Sequence, residues 1–155
     1  YWLMKSEPNV WSIDQQEKMG AKGAEWDGVR NYQARNFLRD QIKIGDEILY
    51  YHSNSKPSGV IGTAEVVKNG YPDFTAWDPS SKHPDPKSTI ESPIWYMVDI
   101  KATKKFKKII SLQQIKQIPE LAQMVLVKNS RLSVQPVTHA EFEIICQIGS
   151  KISNI

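Results

Sequence analysis

The densest chemistry in this 155-residue chain lies in one run, Trp26-Asp27-Gly28-Val29-Arg30-Asn31-Tyr32-Gln33-Ala34-Arg35-Asn36. Trp26 and Tyr32 offer flat faces for stacking. Asn31 and Asn36 each carry a donor and an acceptor, the pairing that matches a base edge. Arg30 and Arg35 can hold a phosphate with two bonds or stack on a ring. The run reads as a pocket for a ring-bearing ligand, a nucleobase foremost. A core Trp26 beside a solvated Arg/Asn helix face explains the same composition, and composition leaves both open.

Three other clusters carry polar groups. Met4-Lys5-Ser6-Glu7-Pro8 follows a strand, where Lys5, Ser6 and Glu7 could bond a ligand or form a plain polar turn. Tyr50-Tyr51-His52-Ser53-Asn54 closes another strand in the same style. In Arg131–Val137, Ser133 and Gln135 alternate with apolar Leu132 and Val134 as in a half-buried strand, with Arg131 able to reach a ligand or a carboxylate.

Several chemistries have no support. His52, His83 and His139 lack metal-ligand spacing, and the single Cys146 cannot complete a thiolate set, so no metal site is expected. Cys146 sits among isoleucines, as an inert buried thiol would. No G-x-S-x-G, P-loop or dinucleotide fingerprint occurs, so no catalytic residue and no cofactor is expected.

The elements that must position these groups show in caps and periodicity. Ser12…Gln15, Ser111…Gln114 and Thr138…Glu141 have capping-box spacing. They predict helices ending near Met19, before Pro119 and near Gly149. Ala34, Phe37, Leu38 and Ile42 predict a helix over Tyr32–Asp40, with Tyr32, Arg35, Asn36 and Arg39 on a second, polar face. Strands are expected at Trp2–Met4, Asp46–His52, Gly59–Lys68, Ile94–Lys104 and Leu132–Gln135, with Ser53–Ser58 as a hairpin loop. Tyr71–Pro93 holds five of the nine prolines and reads as a long functional loop, because Trp77 is an odd residue to leave mobile. This mixture without strict alternation argues one α+β domain over residues 1–155.

Composition is consistent with that. Apolar residues make up 40% and charged residues 24%, near the globular average. No apolar run approaches the roughly 20 residues of a membrane helix. The opening residues do not read as a signal peptide, and the lone cysteine fits a reducing compartment, so an intracellular place is expected: cytoplasm, or nucleus in a eukaryote. A net charge of +3 permits phosphate contact without demanding it. Lys101, Lys104, Lys105, Lys107 and Lys108 form a basic run that reads first as a protected strand edge and second as a phosphate-tracking patch.

Taken in order, Tyr1–Pro8, Trp26–Asn36, Gly45-Asp46, Tyr51-His52-Ser53, Tyr71-Pro72-Asp73 and Arg131–Val137 resemble the EVE-domain family over nearly the whole chain. The resemblance implies a PUA-like fold, a small curved sheet or barrel flanked by helices, similar to YTH domains. It implies a non-enzymatic reader of a modified nucleobase, a modified cytosine in DNA foremost, with RNA as the alternative. By that likeness Trp26 stacks on the base, and Lys5, Ser6, Asn31, His52 and Ser53 are candidates for its edge. Tyr51 or Trp77 would supply a second wall, and Arg30, Arg35, Asn36 and Arg131 the sugar-phosphate contacts or pocket wall. Trp26→Ala is expected to abolish selective binding and leave the fold cooperative. The rival readings are a nucleic-acid-acting enzyme using Glu7, Asp27 and His52, and a protein-binding adaptor using Trp77 and the proline-rich loop.

Overall fold

Alternation along the strands divides the core in two. In β1 (Trp2–Ser6), Trp2 and Met4 turn to one apolar cluster and Leu3 to another, and all three are buried. A computed structural model describes residues 1–129 and 131–153, so positions 130, 154 and 155 of the expected domain lie outside the described residues. After β1 come β2 (Ala24–Glu25), β3 (Glu47–His52), β4 (Gly59–Pro72), β5 (Tyr96–Ser111) and β6 (Val134–Pro136). They form an open mixed sheet in the order β2-β5-β4-β3-β1-β6. β1 and β3 pair in parallel, and the other neighbours are antiparallel. The fold is α+β, and the expected small sheet is open rather than a closed barrel.

Helices cover both faces. On the first face, α1 (Ile13–Lys18), α2 (Tyr32–Asn36) and the turn after it lay Ile13, Ala34 and Leu38 against Trp2, Met4, Ile48, Tyr50 and Val98. On the second, α3 (Leu112–Lys116), α4 (Val125–Lys128) and α5 (His139–Ser153) cover Leu3, Leu49, Tyr51 and Phe106 with Ile115, Leu126, Phe142 and Ile145. All three capping boxes form. α2 continues as a π turn over Phe37–Gln41, and of the expected stripe Ala34, Leu38 and Ile42 are fully buried while Phe37 is half-buried against the same core. Among the described residues no helix is long and apolar enough to cross a membrane.

Several boundaries differ from expectation, and one strand was not expected at all. β5 runs on to Ser111, so the lysine run lies within a strand. β2 pairs with β5 only at Asp99 and Ile100, and further along β5 Lys104, Lys105, Lys107 and Lys108 are exposed. β4 extends to Pro72 and takes the start of the expected loop into the sheet. β2, two residues long, has no pattern to read. α5 passes through Gly149, which lies flat against the Phe106 ring.

That last contact decides the sign of a substitution. Alanine in a helix interior ordinarily gains about 1 kcal/mol over glycine. A Cβ at 149, however, would sit 2.5 Å from the ring of Phe106, which is only 1% exposed and has nowhere to move. Gly149→Ala is therefore expected to cost about 1–3 kcal/mol, as overpacking does. Denaturant unfolding measures it.

Candidate functional site

At the C-terminal end of β1 the chain turns sharply, and hydrogen bonds fix that turn. The Val10 and Trp11 N–H groups donate to the Glu7 carbonyl, and Ser6 Oγ donates to the Trp11 carbonyl at 2.7 Å. Trp11 Nε1 donates to Gln16 Oε1 of α1 at 2.8 Å. Lys5 and Ser6 thus sit on a rigid lip.

The facing wall is the strand-to-helix segment after β2. The Trp26 N–H donates to the Val98 carbonyl at 2.8 Å, and its ring meets Tyr50 edge to face. Two residues on, the Gly28 N–H donates to Asp73 Oδ2 at 2.8 Å. Arg30 donates to the same oxygen at 3.0 Å and to the His83 carbonyl at 2.8 Å. Asp73, fully buried, also accepts from the Thr75 N–H and hydroxyl. One carboxylate so ties the segment to the long loop. The third wall is Ser81–His83, with the His83 ring laid against Gly28. Gly28 has φ +79°, and a Cβ there would lie 2.9 Å from the imidazole.

These walls enclose a cleft of about 660 Å³ lined by Lys5, Ser6, Glu7, Trp11, Trp26, Asp27, Arg30 and His83, among others. That size suits a small ligand. Its lining mixes apolar side chains with both acidic and basic ones. Burial pushes the Asp27 carboxyl above its ordinary range, with His83 pulling it down and Asp73 pushing it up. Burial lowers the Lys5 ammonium. Burial alone would raise Asp73, but the bonds from Thr75, Gly28 and Arg30 together bring it below its ordinary value. His83 Nε2 stands 3.5 Å from Asp27 Oδ2, too far for a short hydrogen bond. Arg30 Nε is buried with no partner among the described residues.

The expected site residues divide. Lys5, Ser6, Trp26 and Arg30 converge on the cleft. Ser53 is tied to its edge, its N–H donating to the Ser6 carbonyl at 3.0 Å. The others do not line it. His52 Nε2 accepts from the Ile13 N–H at 3.2 Å, and burial lowers its imidazole. Tyr51 is buried on the opposite face of the sheet, with Lys5 Nζ over its ring. Asn31 caps α2, its amide oxygen accepting from the Ala34 N–H at 3.0 Å. Arg35 donates to the Ile94 carbonyl and to Asn36. Trp77 is half-buried in a 3-10 turn over Phe74–Trp77, and Arg131 is exposed.

Trp11, Glu25, His83 and Ser133 also line the cleft, and sequence reasoning did not propose them. Trp11 precedes a capping serine and reads as a helix lead-in. His83 lies in a proline-rich loop without local pattern. The Arg30 bond to its carbonyl and the seat of its ring on Gly28, both distant in sequence, hold it here.

Residues 1–148 match the family model described as the EVE domain. Mouse thymocyte nuclear protein 1 is 41% identical over 165 residues, spanning 96% of this chain and 73% of the relative. Among solved structures, a hypothetical protein from Leishmania major superposes with a TM-score of 0.93 at 46% identity, covering 97% of this chain and 94% of that one. Human THYN1, solved in complex with DNA containing 5-methylcytosine, superposes with a TM-score of 0.88 at 39% identity and covers 96% of each chain.

Proposed function

The chain belongs to the EVE-domain family, and from that premise we propose that it binds DNA and reads a modified cytosine captured, flipped out of the stack, in the cleft between Lys5–Ser6 and Trp26–Arg30. The observation that carries this is the complex of the human relative with 5-methylcytosine DNA, a protein that matches this fold over 96% of the chain. The cleft supplies what the chemistry needs: an indole, hydrogen-bond donors on one wall and an acceptor on the other.

The energetics assign roles. Extruding a base from a duplex costs a few kcal/mol. Stacking on one aromatic returns about 1–3 kcal/mol. Stacking therefore breaks even, and bonds to the base edge and phosphates supply the surplus. Lys5 is the donor assigned to the edge, its ammonium swinging to the base from over the Tyr51 ring, while the Ser6 hydroxyl proton is held by the Trp11 carbonyl and leaves Ser6 an acceptor. Arg30 is already committed to Asp73 and His83, so its part is to hold the wall. A methyl group in an apolar niche adds roughly 1–3 kcal/mol of discrimination.

The test compares matched oligonucleotides that differ only in carrying cytosine or 5-methylcytosine. The native protein is expected to prefer the methylated strand by roughly fivefold to a hundredfold, as that niche energy implies. Lys5→Ala is expected to weaken both by about tenfold, in line with loss of a charged hydrogen bond. Equal, weak binding to both strands removes the modified-base reading. Tighter binding of the corresponding RNA moves the reading to RNA.

A further inference from the structure

We infer that Asp27 is a specificity-determining residue of this cleft: its carboxylate accepts from the 4-amino group of the bound base, so that a cytosine-type base is taken and thymine refused even though both carry a 5-methyl group. This rests on the base-reading function proposed above.

The backbone fixes Asp27 from both sides. The preceding residue, Trp26, donates its N–H to Val98, and the following one, Gly28, donates its N–H to Asp73. The side chain between them is 36% exposed and faces the cleft. His83, seated on Gly28, stands beside Oδ2 and leaves Oδ1 without a hydrogen-bond partner among the described residues. One oxygen is thus oriented and the other is open to a ligand.

An ionised carboxylate only accepts. Cytosine presents an amino donor at position 4 and acceptors at N3 and O2. Thymine presents an acceptor at O4 and a donor at N3. A cytosine with its amino group on Asp27 gives that carboxylate its donor. Thymine in the same pose sets O4 against the carboxylate, two acceptors with no proton between them. Leaving buried polar groups unpaired is the strongest basis for refusing a ligand of the same shape. Carboxylates read the cytosine amino group in the same way at DNA grooves.

The decisive comparison uses single-stranded oligonucleotides carrying 5-methylcytosine, cytosine, thymine, or 5-methyl-2-pyrimidinone, which is 5-methylcytosine without its amino group. The native protein is expected to bind 5-methylcytosine at least roughly tenfold more tightly than thymine or the amino-less base. Asp27→Asn presents either an oxygen or an amide nitrogen, so it is expected to bring the ratio to thymine to within about threefold of unity, while its oxygen keeps some preference over the amino-less base. It should keep the preference for 5-methylcytosine over cytosine, because the methyl niche is untouched. A variant that retains the native ratio to thymine overturns the inference and leaves the base-reading function standing. Should Asp27→Asn prove unfolded by thermal melting, the amino-less base on native protein still decides: undiminished affinity for it overturns the inference. Absence of any native preference for 5-methylcytosine over cytosine removes the base-reading function itself, and this inference with it.

Discussion

Trp26→Ala is expected to lower the free energy of unfolding by about 3–5 kcal/mol, the range for removing a buried aromatic. Trp26 is only 7% exposed and packs in the first-face core with Tyr50, Val29 and Ala34. A domain of this size is stable by about 5–15 kcal/mol, so the alanine variant stands near the edge of folding. Loss of binding by that variant would not separate a base contact from a collapsed wall. The core placement thus changes the expectation drawn from sequence, that the fold would stay cooperative. Trp26→Phe is the informative partner, since it keeps a flat ring and removes less volume. It is expected to unfold cooperatively at a reduced midpoint and to bind 5-methylcytosine DNA more weakly than the native protein. Paired denaturant titrations and affinities measure both. An alanine variant as stable as the native protein would contradict the packing described for Trp26.

Local signals in the sequence were legible because their partners lie a few residues away. The boxes at Ser12, Ser111 and Thr138 form as their spacing says. So does the stripe through Ala34 and Leu38, because helical geometry alone determines who meets whom. The site was legible only in part, because backbone groups compete for the same polar side chains. Asn31 looks like a base reader, yet its oxygen satisfies the orphan N–H of Ala34. His52 looks like an edge contact, yet its ring nitrogen satisfies the orphan N–H of Ile13. Neither use could be told from ligand chemistry without the fold. The opposite failure befell His83 and Asp73, which lie in a segment expected to be a loop. Asp73 meets Arg30 across 43 positions and Gly28 across 45, separations that leave no trace in local pattern. The loop is pinned by that buried carboxylate, and Trp77, the residue that marked it as functional, lies outside the cleft.

Asp73→Ala is expected to cost about 3–5 kcal/mol, the usual price of breaking a buried ion pair from one side. It strands the Arg30 guanidinium, whose Nε already lacks a partner, and leaves the Gly28 and Thr75 N–H groups unmatched. Because Gly28 and His83 face each other across this anchor, the variant should also open the cleft and weaken DNA binding. The same carboxylate sets a pH dependence. Its folded pKa lies below the unfolded value near 3.9. A carboxyl of that kind binds fewer protons folded than unfolded in the window between the two values. Its stabilisation is therefore complete somewhat above the unfolded pKa and is lost as pH falls through the folded one. Asp27 slopes the other way, since its folded pKa is raised. It binds more protons folded, so stability falls as pH rises from the unfolded value through the folded one. The two contributions separate in a variant. Asp73→Asn is expected to be less stable than the native protein at neutral pH and to show a shallower loss on acidification below about pH 4, with the Asp27 slope left in place. Unfolding titrations of both proteins from pH 3 to 7, run at roughly constant ionic strength, measure the difference. Parallel curves would show that Asp73 carries no linked proton, and the anchoring role drawn from its bonds to Gly28, Thr75 and Arg30 would fall with it.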